Sequence, residues 1–427
     1  MQKGSESNHS RVKYAFNHFS KPYLNSLSPG CWMCGKGTWA CVFICHSCTR
    51  NCFFCLRKQK EDKDFVPYVE RDIKFDSVER FIEYLGSFPF EGISFSGGEP
   101  FLKFDRLYEY VRAIRHAYGN QHYIWVYTNG DPVSEYRLTR LAEAGLNEIR
   151  FDISARDYDL GPVSLALDII PHVTIEIPAI PEDVERVKAL LPRLEALGVK
   201  NINLHQLMVN DCNKAAFQAR GYTIQRDERY DDWFGIPESE SAALEILNHA
   251  AENNVGLGIN CCFRFYKYLF QLSGFRRRYA PYCRSDSDEI TPTGYLRRLV
   301  VAGCSDSDGG SIDLLDPETG SVKVTYYAPW LSPDNNNAAM DLCVTHLEQY
   351  RACVGKNHAA EFELTNQTAR LFFQLLFVEG YDLKKAYEEV AALFEAGNEE
   401  RNAMYSELQD FHRRFATYEY IPHWIES

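Results

Sequence analysis

The residues with the most chemical reach stand together, in Cys48-Thr49-Arg50-Asn51-Cys52-Phe53-Phe54-Cys55. Thiolates are soft metal ligands, and a C-x3-C-x2-C spacing puts three of them on one short loop. Three thiolates can hold three irons of a [4Fe–4S] cluster, whereas ferredoxin-type electron carriers bring four. One iron then stays open to a different ligand. Cys52-x2-Cys55 also has the spacing of half a zinc knuckle, so zinc is the competing reading. Seven of the 14 cysteines fall between Cys31 and Cys55. Clumped thiols in a reducing cytosol indicate metal binding or thiol chemistry, not disulfides.

A second feature is Ser96-Gly97-Gly98-Glu99-Pro100. Two glycines let backbone approach a ligand closely, and an adjacent carboxylate accepts from a cationic amine. Alone, such a run is a common turn.

The elements that must carry these loops follow a regular rhythm. Thr38–Ile44 is rich in aromatic and β-branched residues and predicts a buried strand. Further strands are expected at Gly92–Phe95, His122–Tyr127, Glu148–Ile153, Val173–Ile177, Asn201–Val209 and Val255–Cys261. Helical spacing fills the intervals, at Asp76–Leu85 (N-capped by Asp76 or Ser77), Phe104–Tyr118, Ser134–Ala144, Pro162–Ile170, Glu182–Leu197 and Ser239–Asn253. Alternating strands and helices predict an α/β fold with a parallel sheet. About six βα units fit a partial (β/α)6 TIM barrel, with an open doubly wound sheet as runner-up. Either fold puts ligands at the C-terminal strand ends, where the cysteine loop and Gly97-Gly98-Glu99 fall.

On these residues the chain resembles the radical S-adenosylmethionine (SAM) superfamily: Cys48, Cys52 and Cys55, Phe54 before the last cysteine, and Gly97-Gly98-Glu99 after the second strand. The resemblance spans roughly residues 40–265. It implies SAM chelated to the open iron, cleavage to a 5'-deoxyadenosyl radical, and hydrogen abstraction from a substrate. It also implies that Ser96, Gly97, Gly98 and Glu99 hold the methionine amino group. Tyr127–Gly130, Arg150–Ser154 and Ile175–Pro181 look like strand ends of glycyl-radical-enzyme activases of the pyruvate formate-lyase activating type. By that likeness, Asn129 and Ser154 bind ribose and carboxylate, and the Leu207 region covers adenine. Activases usually carry lysine where Ser154 stands, which separates this chain from them.

Upstream, Cys31-x2-Cys34-x6-Cys41 has metal-site spacing, and Cys45 lies four residues beyond Cys41. On one strand those two would share a face. Cys262 ends the last barrel strand and competes as a further ligand. The set Cys31, Cys34, Cys41, Cys45 and Cys262 is expected to build an auxiliary centre, a [4Fe–4S] cluster in preference to zinc. Cys212, Cys304, Cys343 and Cys353 are isolated and read as inert. Glu176 and His205 sit on predicted strands without an assignable catalytic role.

Length and charge narrow the function. The chain has 427 residues and a net charge of -13. Such acidity argues against a general nucleic-acid binder. Neither a signal peptide nor a bilayer-length apolar run is visible, so a cytoplasmic protein without a membrane span is expected. Arg276, Arg277 and Arg278 end an aromatic and basic segment, Phe263–Arg278, read as an amphipathic helix with a solvated basic face.

The expected organisation is an N-terminal arm and Cys-rich extension at 1–46, the barrel at 47–284, and a C-terminal α+β module at 285–427. In that module Tyr295–Val301 and Ser321–Tyr327 read as strands and residues 338–417 as mostly helical. It distantly resembles leader-peptide recognition domains. Both likenesses point to a peptide or protein substrate, with a flavodoxin- or ferredoxin-type reductant as partner. A radical SAM enzyme acting on a small molecule, a zinc-binding adaptor and a plain electron carrier are the alternatives.

Overall fold

The computed structural model describes residues 12–15, 21–57, 60–69, 73–226, 234–264, 267–302, 321–331 and 354–365. Contacts divide the chain into two units, Met1–Gln271 and Leu272–Ser427.

In the first unit, seven parallel strands lie side by side in chain order: β1 (Trp39–Cys45), β2 (Gly92–Gly97), β3 (Tyr123–Thr128), β4 (Glu148–Phe151), β5 (His172–Pro178), β6 (Asn201–His205) and β7 (Gly258–Cys262). Among the described residues the sheet does not close. Tyr68–Val69 pairs antiparallel on the outer side of β1, and Lys21–Leu24 pairs antiparallel on β7. The fold is therefore an open partial barrel with six βα crossovers.

Local chemistry explains the crossovers. Helix α2 (Val78–Gly86) starts where the Ser77 hydroxyl accepts from Arg80 N. Helix α3 (Phe104–Tyr118) buries Leu107, Tyr110, Val111 and Ile114, one face of a 3.6-residue period. The helix Val184–Leu197 stops at Gly198, whose φ of 89° suits glycine. The strand expected over Asn201–Val209 ends at His205, because the Leu207 amide leaves the ladder. Gln206 N bonds to Cys262 O, and Leu207 N donates to the Ser239 hydroxyl at 2.9 Å.

The Cys-rich extension is built into this unit. Helix α1 (Pro29–Lys36) is capped by Ser28 and packs against β1, β2 and β3 inside the curve of the sheet. Its seat is the inward-facing Arg150, which donates to the Ser28 hydroxyl at 2.8 Å and to Glu148 at 2.8 Å. Gly30 lies so close that a Cβ there would meet Arg150 Nη2 at 2.4 Å.

The second unit contains a helix, Leu272–Cys283, and an antiparallel sheet of Glu289–Ile290, Leu296–Ala302, Ser321–Leu331 and Val354–Thr365. The last strand falls within the span read as mostly helical. It pairs along Ser321–Leu331, and the alternation in Glu361-Phe362-Glu363-Leu364 fits that pairing. The solvated basic face is also corrected. Arg276 is buried, donating to Thr293 O at 2.9 Å and lying 4.1 Å from the Tyr295 ring centroid. The rest of the span expected to be helical at 338–417, and Cys304, Cys343 and Cys353, lie outside the described residues. Among the described residues no helix is long and apolar enough to cross a membrane.

Because Gly30 abuts Arg150, Gly30→Leu should overpack the lumen and cost about 1–3 kcal/mol. Anaerobic urea unfolding checks this; an unchanged midpoint would mean that Gly30 does not face Arg150.

Candidate active site

The C-terminal end of β1 and the end of β2 meet backbone to backbone. Gly98 N donates to Cys45 O at 2.9 Å, and Glu99 N to Ser47 O at 2.8 Å. A Cβ on Gly97 would fall 2.3 Å from Cys45 O, and one on Gly98 would fall 2.0 Å from Ser47 O. Gly97 also has a φ of 139°. The glycines are thus required by the chain leading into the cysteine loop.

Other side chains hold that loop. Asp62 accepts from His46 N at 2.5 Å, from Ser47 N at 3.1 Å and from the Ser47 hydroxyl. Arg50 forms a bidentate pair with Asp131, both contacts at 2.5 Å. Asn129 Nδ2 donates to Thr49 Oγ1 at 2.9 Å and lies 3.6 Å from Cys48 Sγ.

Cys48, Cys52, Phe54 and Cys55 line one cavity of about 550 Å³ with Ser96, Gly97, Gly98, Asn129 and Asp152. An adjoining space of about 790 Å³ shares Phe54, Ser96, Gly97 and Asp152 and extends to Pro178 and Leu207. Leu207 itself is buried against Val209, Phe217 and Ile236.

Two residues carried over by resemblance are placed differently. Glu99 is fully buried and absent from both cavity walls. Its carboxylate accepts from Phe101 N at 3.1 Å, Thr128 Oγ1 at 2.8 Å and Asn129 N at 2.7 Å. Burial pushes its pKa up to about 7 against those hydrogen bonds. It braces the ends of β2 and β3, with Oε1 accepting from Phe101 and Thr128 and Oε2 from Asn129. Ser154 gives its hydroxyl to Asp152 Oδ1 at 2.5 Å and is not on the wall. Asp152 is on the wall instead, its pKa raised to about 6 by burial. Asp152 lies within the strand end Arg150–Ser154 without being among the expected ligands; an acid two residues before a serine at such an end is the signal that marks it.

The chemistry of the donors fits an iron–sulfur cluster. Burial raises the Cys48 thiol and pushes Cys52 up to about 12, with Asp152 and the neighbouring thiols adding to the rise. Cys48 and Cys52 thiols raised in this way favour the protonated form until a metal binds and displaces the proton. Cys48, Cys52 and Cys55 would hold the cluster.

The remaining cysteines divide. Cys31, Cys34 and Cys262 line the deeper part of the cavity with Lys21, Glu176, His205 and Lys267. Cys31 Sγ lies 3.1 Å from Asn203 Nδ2 and 3.3 Å from its Oδ1. Burial pushes Cys34 up to about 12. The same burial acts on Cys262, but Lys21, Lys267 and His205 overcome it and bring that thiol down to about 6. Glu176 and His205 pair with each other; Arg150 holds Glu176 at 3.1 Å, and Lys267 reaches His205 Nδ1 at 2.9 Å.

Cys41 is also on the wall, but Cys45 is not, which corrects the expectation of a shared face. The ladder between β1 and β2 shifts register between Phe43 and Cys45, and this turns Cys45 off the face of Trp39, Cys41 and Phe43. Among the described residues no three His, Cys, Asp or Glu side chains gather around a single-ion position.

Gly98→Ala should force Ser47 away from β2 and cost about 1–3 kcal/mol. Glu99→Gln should cost about 1–3 kcal/mol, because an amide cannot accept from all three donors. Chemical unfolding of both variants measures this, and wild-type midpoints would show that the braces do not form.

The radical SAM superfamily description matches residues 42–211. A curated protein of Methanocaldococcus jannaschii, provisionally named a glycyl-radical enzyme activating enzyme, is 28% identical over 307 residues, covering 69% of this chain and 78% of its own. Among solved structures, the radical SAM methyltransferase TsrM of Kitasatospora setae, with tryptophan and a SAM analogue bound, is 12% identical. It covers 50% of this chain and 52% of its own, with a TM-score of 0.34. Streptococcus suis SuiB, bound to SAM, is 11% identical over 51% of this chain and 48% of its own, with a TM-score of 0.37. The chain thus spans about half the length of these solved proteins. Residues 42–211 thus match the radical SAM superfamily, and 69% of the chain is similar to an activase-like relative.

Proposed function

We propose that the chain binds a [4Fe–4S] cluster on Cys48, Cys52 and Cys55, binds SAM beside it, and acts on a peptide or protein. The observation that carries the reading is that all three thiols face one cavity with Gly97, Gly98, Asn129 and Asp152. When bound, the cluster and SAM supply a 5'-deoxyadenosyl radical that takes hydrogen from the substrate.

The chain's own residues hold and orient. Asn129 steadies Cys48, and Arg50 with Asp131 pins the loop between Cys48 and Cys52. Gly97 and Gly98 bring backbone, unscreened by side chains, to the wall where a polar ligand group would lie. Asp152 is the carboxylate available to accept from a cationic or hydroxyl group of SAM. Leu207 and Phe54 offer apolar cover for a flat ring.

Support for a peptide or protein substrate comes from the Methanocaldococcus relative, whose provisional name denotes action on another enzyme. Ser154 in place of the activase lysine keeps the proposal broader than glycyl-radical activation. A flavodoxin- or ferredoxin-type protein would supply the electron, in the reducing cytoplasm that suits exposed thiol loops.

Anaerobic, reconstituted enzyme with SAM and dithionite should form 5'-deoxyadenosine, and Cys52→Ala should reduce the yield at least about 100-fold, the loss of its metal site. A well-loaded wild type that forms none would favour an electron carrier, and a colourless zinc protein would favour the adaptor. A deuterated peptide or protein substrate should pass deuterium into 5'-deoxyadenosine; transfer only from small molecules would overturn the substrate class.

A further inference from the structure

We propose a second metal centre, an iron–sulfur cluster held by Cys31, Cys34 and Cys262 within the barrel. Two of these thiols come from α1 and the third from the last residue of β7, yet all three line the same cavity.

The surroundings of the sulfurs carry the argument. Cys31 Sγ is approached by three nitrogen donors, Asn203 Nδ2 at 3.1 Å and Arg150 Nη1 and Asn260 Nδ2 at 3.7 Å, against one acceptor oxygen, Asn203 Oδ1 at 3.3 Å. Gln271 Nε2 lies 2.6 Å from Cys34 Sγ. Cys262 pairs in register with His205 on the neighbouring strand. Lys21 and Lys267 line the same part of the cavity. N–H donors and cations directed at sulfur stabilise thiolate over thiol, and hydrogen bonds to sulfur are one of the means by which proteins tune iron–sulfur clusters.

Three thiolates gathered in a buried lumen repel one another, and bound irons remove that repulsion. Soft thiolate sets select iron–sulfur clusters, zinc or Cu(I). The thiolates of a cubane sit on separate irons and need not converge on one point, as the ligands of a zinc ion must. Cys41 stands apart, its thiol bonded to Ser94. Cys45 points elsewhere, its sulfur 3.7 Å from Ser47 O. The centre therefore has three protein thiolates, and one iron is left for a ligand from the cavity.

Iron and sulfide analysis of the full chain after anaerobic reconstitution tests the proposal. Wild type should bind about eight irons, and Cys48→Ala/Cys52→Ala/Cys55→Ala should keep about four, with a cluster EPR signal after dithionite. Cys31→Ala/Cys34→Ala/Cys262→Ala should fall to about four. The first triple variant leaves the proposed ligands intact, so the test does not depend on the second one folding. If that first variant, folded by circular dichroism, binds no iron–sulfur or binds a single zinc, the second centre is overturned. A wild type with about four irons that cleaves SAM overturns it while leaving the proposed function standing. A wild type that takes up no iron removes both.

Discussion

Cys45–Ser47 and Gly97–Glu99 run against each other with no side chain between them, and the mouth of the barrel hangs from that contact. Two amide hydrogen bonds close it. Any Cβ at residue 97 or 98 would enter carbonyl oxygen. Because the strand ends are joined this tightly, the chain leaving β1 has one exit, and the loop of three thiols begins there. Asp62 holds that exit from outside, and Asn129 with Asp131 holds the loop from the end of β3. Glu99 links the two systems, since its carboxylate ties its own turn to Thr128 and Asn129.

Below the mouth the barrel solves a different problem. Its inner wall carries Glu148, Arg150 and Glu176, all poorly accessible to water. A buried ion network gains little net stability once desolvation is counted. What this one does is give α1 a defined seat, because Arg150 also bonds to the Ser28 hydroxyl and approaches Cys31. The helix fills volume that a closed (β/α)8 barrel would fill with strand side chains. It also delivers two thiols to the floor of the cavity.

The architecture was largely legible before any coordinates. Parallel strands covered on both faces read as apolar runs, and amphipathic helices repeat at a different period, so the βα alternation stood out. The cysteine loop was legible for a related reason: its spacing is local. The failures share the opposite character. Cys41 and Cys45 were expected on one face, and a bulge, which depends on the neighbouring strand, separated them. Val354–Thr365 was not foreseen as a strand, because its partner lies more than a loop away. Arg276 was given to solvent, although Thr293 and Tyr295 bury it.

By itself, then, the sequence determined the order of strands and helices in the first unit and the loop of Cys48, Cys52 and Cys55. Each of these follows from periodicity or spacing, which neighbouring residues settle among themselves; the need for glycine at 97 and 98 comes from the approach of Cys45 and Ser47. Tertiary structure alone decided that Glu99 braces instead of facing the cavity, that Asp152 stands where Ser154 was expected, and that Cys31, Cys34 and Cys262 share a lumen. Those outcomes depend on which atoms arrive from remote segments to satisfy buried polar groups. A buried carboxylate or thiol must take the partners the fold brings within hydrogen-bond reach.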